Sequence, residues 1–225
     1  MEFVGQVRLA DLPEPRPVPL PPDGLLSFFN RWSDGRVYYY PEGTVLQRTA
    51  SPPQLTPPAP AGVWARLSRK LRRGAELPQV YRACSLRAVP ALSLPDGGSS
   101  LMKELNLNAG DLETYFEFCA GRVANPQPSE TTQHQMFGYS TPVQNEMELE
   151  CDAIRRGDQM RWDAPSQRYI AAMQDWIVLF QLDTDDYQEG PGWMWGDAGL
   201  LYFWIHRDDL AALDFNKVVT IEQCH

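Results

Sequence analysis

The chain has 225 residues, of which 43% are apolar and 11% aromatic, and its formal net charge is −9. This composition is typical of a globular protein with a sizeable core, and the negative charge argues against nucleic acid and anionic membrane surfaces as partners. No apolar run is long enough for a signal peptide or a membrane span, and the four cysteines form no Cys-x-x-Cys pair. We therefore expect a cytoplasmic protein with reduced thiols and no zinc knuckle.

The N-terminal third combines apolar strands with proline-rich connections. Residues 24–29 and 36–43 flank a Ser-Asp-Gly turn, which predicts a β-hairpin. Residues 12–22 and 52–60 are rich in proline, which fits neither a helix interior nor a central strand, so we interpret them as extended surface connections. The apolar spacing in residues 63–73 predicts a surface helix whose other faces are basic.

The middle of the chain predicts one strand, two helices and a long loop. Residues 81–96 are biased toward β-structure, and residues 111–120 predict a helix that Asp111 caps. The polar, proline-broken stretch 125–144 indicates a loop. Residues 146–156 predict a short helix that ends at Gly157, with arginines in its last turn.

The last quarter carries the strongest pattern. Unbroken apolar runs predict buried strands at residues 176–182 and 200–205, and residues 208–215 predict a short capped helix. A final strand is expected within residues 217–224.

An internal repeat relates the two ends of the chain. Residues 3–11 align with residues 178–186, which pairs Gln6 with Gln181, and the same offset of 175 pairs residues 24–29 with 199–204. We therefore predict an α+β fold: a single domain over residues 1–225 with pseudo-repeat halves around 1–50 and 170–225. Its duplicated β-rich core would consist of antiparallel or mixed sheets with short helices packed around it. Glutamines in apolar strands need hydrogen bonds, so Gln6 and Gln181 should be structural clamps or should face a site.

Acidic residues follow the strand at 176–182. If this strand pairs with the next one, the connecting loop brings Asp197 toward Asp183 and Asp185, with tryptophans at 193 and 195 as walls. Such carboxylates bind Mg²⁺ or Ca²⁺, or divide into a general acid and a general base. The spacing does not match a calcium-binding loop, and acids at a strand end are commonly solubilising or turn-forming groups. Both interpretations stay open.

Other catalytic motifs are absent from the sequence. Three histidines do not make a histidine-rich metal site, and there is no Gly-x-Ser-x-Gly elbow and no phosphate-binding glycine loop. His134 is a candidate base near Gln144, or a hydrogen-bonded surface group. The sequence assigns no catalytic residue, no metal ligand set and no cofactor.

Several blocks in order along the chain resemble the YwqG-like family, bacterial proteins of unknown function, and they span nearly the whole length. The blocks are FVGQVRLADLP, DGLLSFF, YYYPEG, LSLPD, HQMFGYSTPVQNE, VLFQLDTDD and WGDAGLLYFWIHRDDLAALDFNKV. The Trp-Gly-Asp-Ala-Gly element is the most specific of them. The resemblance implies an α+β fold with a duplicated core, and it points to these candidate binding residues: Gly138, Tyr139, Gln144, Gln181, Asp183, Asp185, Trp195, Gly196 and Asp197. The repeat adds Gln6. Members of the family usually carry a further segment before the first block, so we expect a misassigned start or a shortened member with an exposed sheet edge.

Three hypotheses about function follow. The resemblance links some relatives to bacterial toxin and immunity systems, and an acidic protein is suited to neutralise a basic toxin, so the first is a binding protein with a protein partner. The second is a hydrolase that uses Asp183, Asp185 and Asp197, with or without a metal ion. The third is small-ligand binding by the glutamines and tryptophans. The sequence does not determine the oligomeric state.

Overall fold

The structure is a computed structural model that describes residues 1–32, 34–49, 80–123, 134–160, 163–186 and 190–225. Its elements in chain order are β1 (Glu2–Arg8), β2 (Leu25–Asn30), β3 (Arg36–Tyr40), α1 (Ser100–Glu104), α2 (Ala109–Val123), α3 (Glu148–Arg156), α4 (Ser166–Asp175), β4 (Trp176–Asp183), β5 (Leu200–His206), α5 (Arg207–Ala211) and β6 (Val219–Gln223). The predicted α+β class is confirmed. The helix predicted at residues 63–73 and the proline-rich stretch 52–60 lie outside the described residues.

The strands form two three-stranded antiparallel sheets, in the orders β1-β2-β3 and β4-β5-β6. The first contains the predicted hairpin, and the second contains the predicted pairing of the strands around Asp183. The inner faces of the two sheets meet in one apolar cluster. At its centre, the ring of Phe28 lies 5.0 Å from that of Phe180 and 5.2 Å from that of Phe203. Burial of these aromatic faces against each other holds the sheets together.

The second sheet is also buried on its outer face. Trp176, Val178, Tyr202 and Trp204 from this face join a second apolar cluster with Met147, Leu149, Cys151 and Ala172, which α3 and α4 supply or border. A strand covered on both sides needs apolar residues at every position. This explains why the sequence of β4 and β5 runs without polar alternation.

The two sheets match each other in register. Val178 pairs with Trp204 as Phe3 pairs with Phe29, and both strand pairs have an irregularity at the following residue, Leu179 or Val4. Each pair of partners differs from its counterpart by the 175 residues of the sequence repeat. The third strands match with an offset of 183, because Leu25 pairs with Tyr40 and Leu200 with Gln223. The eight additional residues lie between β5 and β6, where α5 occurs.

Some local predictions need correction. The strand expected at residues 81–96 is wrong, since that stretch has no strand among the described residues. Helices α1 and α4 were not predicted. The backbone N–H of Asp111 donates to the side-chain oxygen of Asn108, so Asn108 and not Asp111 caps α2. The helix expected at 146–156 begins at Glu148 and ends, as predicted, at Gly157 with a left-handed conformation. None of the described helices is long and apolar enough to cross a membrane.

Candidate functional site

A loop that precedes α3 lies across the second sheet, and Gln181 anchors it. The Gln181 side chain is 0% exposed. Its Oε1 accepts the backbone N–H of Thr141 at 2.9 Å, and its own backbone exchanges two hydrogen bonds with Gln135. The hydroxyl of Tyr202, the neighbour of Gln181 on β5, donates to the Thr141 carbonyl at 2.6 Å. Gln181 is therefore a structural clamp, one of the two roles expected from the sequence.

A second glutamine fixes the other end of the same loop. Oε1 of Gln223 on β6 accepts the N–H groups of Val143 and Gln144, and its Nε2 donates to the carbonyl of Asn145. The side chain of Gln144 in turn donates to the carbonyl of Cys224 at 2.6 Å. Gln223 escaped the sequence analysis, although the same signal, an amide side chain in an apolar strand, marks it.

Gly138 and Tyr139 lie at the turn of this loop. Gly138 has a φ of 73°, a left-handed conformation that favours glycine, and a side chain there would collide with Ser93 Oγ. That hydroxyl accepts the N–H of Tyr139 at 2.8 Å. Gly138 thus leaves room for the Ser93 side chain, whereas the partly exposed Tyr139 is one of the residues that line a small pocket.

His134 lies between Asp183, the last residue of β4, and Asp185 just beyond it. Its Nδ1 accepts the N–H of Asp183 at 3.1 Å, and its Nε2 faces Asp185 Oδ2 at 3.6 Å. Burial lowers the pKa of His134, and the nearby Asp185 only partly offsets this effect. The neutral ring then carries its proton on Nε2, because Nδ1 is an acceptor. The lone pair of the neutral ring is on Nδ1, where the Asp183 N–H already occupies it, and the contacts of His134 are with Asp183 and Asp185, not with the predicted Gln144.

The three acids proposed as a catalytic cluster have different environments. The backbone of Asp185 forms an isolated antiparallel β-bridge with that of Trp193. The indole N–H of Trp193 donates to the backbone carbonyl of Asp183 at 2.8 Å. Asp197 is exposed in the turn before β5. No group of three or more His, Cys, Asp or Glu side chains is arranged to hold a metal ion in the part of the chain that the structure describes. The predicted convergence of Asp197 with Asp183 and Asp185 on a metal ion is therefore not found.

The Trp-Gly-Asp-Ala-Gly block packs against the end of β6. Trp195 is buried, and its backbone N–H donates to Thr184 Oγ1 at 3.1 Å. Gly196 has a φ of 53°, and a Cβ there would lie 2.6 Å from Cβ of Cys224. A Cβ on Gly199 would overlap the carbonyl oxygen of Gln223. These glycines are required because two backbone segments touch, which is a structural reason for the most specific motif in the sequence.

The outer face of the first sheet is the counterpart of this loop-covered surface, and several of its described side chains are exposed. Gln6 occupies the position of Gln181, but it is exposed. Tyr40 occupies the position of Gln223, and next to it opens a pocket of about 230 Å³ that Arg8 also lines. Further along the face lies what we call the aromatic patch, formed by Phe3, Phe29 and Tyr38, with ring centroids 5.4 and 5.6 Å apart. Phe3 is 49% and Tyr38 43% exposed.

A buried carboxylate that the sequence analysis missed lies at the start of α3. Glu148 is 7% exposed, and its Oε2 atom has no hydrogen-bond partner in the part of the chain that the structure describes. Burial raises its pKa from 4.5 to about 7, and the neighbouring Glu146 adds to this rise. Glu146 itself accepts hydrogen bonds from the N–H and the hydroxyl of Ser100. In the sequence, the only sign of this burial is that Glu148 precedes Cys151 by one helical turn.

The thiol of Cys151 provides no nucleophile. This cysteine is buried in the second apolar cluster, and burial, followed by the charge of Glu148, raises its pKa well above the ordinary value.

No curated protein matches the chain. A family model described as a domain of unknown function, DUF1963, matches residues 1–224. Because this match extends over almost every residue, the chain belongs to the DUF1963 family.

Proposed function

We propose that the protein is a non-catalytic binding protein that receives an amphipathic helix of a partner protein on the outer face of its first sheet. The observation that carries this proposal is the contrast between the two sheets. The outer face of the second sheet is covered by α3 and α4, whereas the aromatic patch on the first sheet is exposed. Exposed apolar groups that lie together on a sheet are typical of protein interaction sites.

The matched register supports an amphipathic helix as the occupant. Phe3, Phe29 and Tyr38 hold the positions that Val178, Trp204 and Ile221 hold in the second sheet, where helical side chains pack on them. A second helix could pack in the same way on the first sheet. We further propose that the two sheets are copies of one repeated unit, since strand order, register and bulge position all correspond.

The charge of the chain favours a basic partner. A net charge of −9 accelerates association with a basic protein and repels acidic ones. In its specific form, the proposal is therefore an immunity-type protein that neutralises a basic toxin in the bacterial cytoplasm. The four free cysteines are compatible with a reducing compartment.

A hydrolase is supported less well than a binding protein. Asp197 is exposed in a turn, the three acids form no group that could hold a metal ion among the described residues, and the Nδ1 lone pair of His134 already accepts the Asp183 N–H. The residues at the Trp-Gly-Asp-Ala-Gly block and at Gln181 have structural contacts that account for them. The candidate binding residues Gln144, Gln181 and Gly138 thus hold the loop that covers the second sheet, and we place the partner on the first.

The proposal is tested by photo-crosslinking in the native cytoplasm. A photoreactive phenylalanine analogue is placed at Tyr38, and in a control protein at Phe118, an exposed aromatic residue on α2. We expect a defined protein adduct from position 38 only. The crosslinked partner is then purified, and its affinity for the Phe3→Glu and Phe118→Glu variants is measured by calorimetry. An unchanged affinity in Phe3→Glu, or equal adducts from both positions, would refute docking on this face.

A further inference from the structure

A small acidic pocket lies between the loop at Tyr139 and the start of α3. Its lining includes the carboxyl residues Asp96, Glu146 and Glu148, together with Tyr139 and Met173. Among the described residues, no lysine, arginine or histidine lines it. The residues that line this pocket differ from those of the aromatic patch on the first sheet and from His134, Asp183 and Asp185.

The buried carboxylate gives the pocket an unmet requirement. Glu148 is more than nine-tenths buried, and no described residue forms a hydrogen bond with its Oε2. Leaving a buried polar oxygen without a donor costs about 1–3 kcal/mol, and more when the group is charged. A ligand that brings a positive charge and N–H donors would remove this cost, and it would also screen the repulsion from Glu146, which adds to the rise in the pKa of Glu148 that burial mainly causes.

The size of the pocket selects the kind of cation. Its volume is about 20 Å³. A single water-sized group needs roughly 10–15 Å³, so one such group fits and a larger head group does not. A divalent metal ion is disfavoured, because the acids that line the pocket are not arranged as a set of three metal ligands among the described residues. A primary ammonium group has about the size of a water molecule and three donors.

We propose that this pocket binds a single primary ammonium group, with Glu148 and Glu146 as its acceptors and the Tyr139 ring and Met173 against its aliphatic stem. An aromatic ring next to a cation adds attraction through its π-face, and an apolar stem packs well against a thioether. The ammonium group belongs either to a small free amine or to the lysine side chain of a peptide. This inference stands apart from docking on the first sheet, since it concerns different residues.

The test is a set of titrations of the purified full chain at pH 8, followed by NMR or calorimetry. The probes are n-butylammonium chloride, the neutral 1-butanol and tetramethylammonium chloride, which is too large for the pocket. We expect saturable binding of n-butylammonium and at least tenfold weaker binding of the other two. We also expect the Glu148→Gln variant to bind n-butylammonium at least tenfold more weakly, while Glu113→Gln, an exposed carboxylate on α2, leaves it unchanged.

Two further arms identify the source of the ammonium group. Nα-acetyl-lysine-N-methylamide is compared with its norleucine analogue and with n-butylammonium. Tighter binding of the lysine compound assigns the pocket to a peptide side chain, and tighter binding of n-butylammonium assigns it to a free amine. Each variant is checked by circular dichroism, and if Glu148→Gln does not fold, Glu146→Gln serves as the second test.

The proposal is overturned if no amine saturates, if 1-butanol binds as well as n-butylammonium, or if both carboxamide variants retain the affinity of the parent. In those cases the pocket holds only water. None of these outcomes depends on the crosslinking at Tyr38, so the two proposals fail or succeed separately.

Discussion

Replacement of Glu148 by glutamine should change the pH dependence of stability. Burial raises the pKa of Glu148 in the folded protein from 4.5 to about 7. Between pH 4.5 and 7 the folded chain keeps the Glu148 proton, whereas the unfolded chain has released it. The stability that the protonated Glu148 side chain gives is therefore fully present below pH 4.5, is lost as the pH rises toward 7, and is absent above pH 7. Each pKa unit corresponds to about 1.36 kcal/mol, so the full loss is about 3 kcal/mol.

Glutamine has nearly the shape of the protonated carboxyl group, but it does not ionise. Relative to the parent protein, Glu148→Gln should therefore gain about 2–3 kcal/mol in free energy of unfolding when the pH rises from 5 to 8. Urea denaturation followed by tryptophan fluorescence, at both pH values, measures this gain. Glu113→Gln provides the control, since its carboxylate is exposed on α2. A difference between Glu148→Gln and the parent that does not depend on pH would contradict the reasoning.

Three other substitutions test the contacts that shape the fold. Gly199→Ala should lower the free energy of unfolding by about 1–3 kcal/mol, because the added Cβ overlaps the Gln223 carbonyl oxygen. The control Gly5→Ala, with open space around the added Cβ, should lower it by about 1 kcal/mol or less. Equal losses for the two variants in urea denaturation would contradict the steric explanation. Gln181→Leu should leave the Thr141 N–H without its acceptor, cost about 1–3 kcal/mol and speed the hydrogen exchange of that amide; unchanged exchange would refute the clamp. Asp209→Asn should cost about 1.5–3 kcal/mol, because the buried carboxylate binds Arg155 and Lys217, and 1 M salt should not abolish the effect.

The predictable part of the fold is the part that depends on short-range pattern. The hairpin of β2 and β3 follows from apolar runs around a turn, and the end of α3 follows from the left-handed preference of Gly157. The buried strands β4 and β5 follow from apolar character that no exposed strand would have. The errors have equally local causes, since the β-biased residues 81–96 find no partner strand and their propensity alone does not form a sheet.

A binding role for the candidate site residues stays a prediction. The sequence singles out Gln181, Gly196 and Asp185 because an amide, a glycine or an acid at such places needs a reason, and the structure shows what each of them contacts. Their contacts are long-range, from Gln181 to Thr141 or from Asp185 to His134, and spacing along the chain does not encode them. Glu148 was missed for the same reason, since one acid in a charged helix looks like a solvated residue.

Gln6 and Gln181 show most directly what each level decides. The sequence alone aligns both residues at the same position of a predicted repeat, because the flanking residues recur with a constant offset. Only the tertiary structure decided that Gln181 is buried under a loop and bonded to Thr141, while Gln6 remains exposed on an open sheet face. The physical reason is that a hydrogen bond and a covered surface both depend on what packs against the strand, and segments remote in the chain supply that.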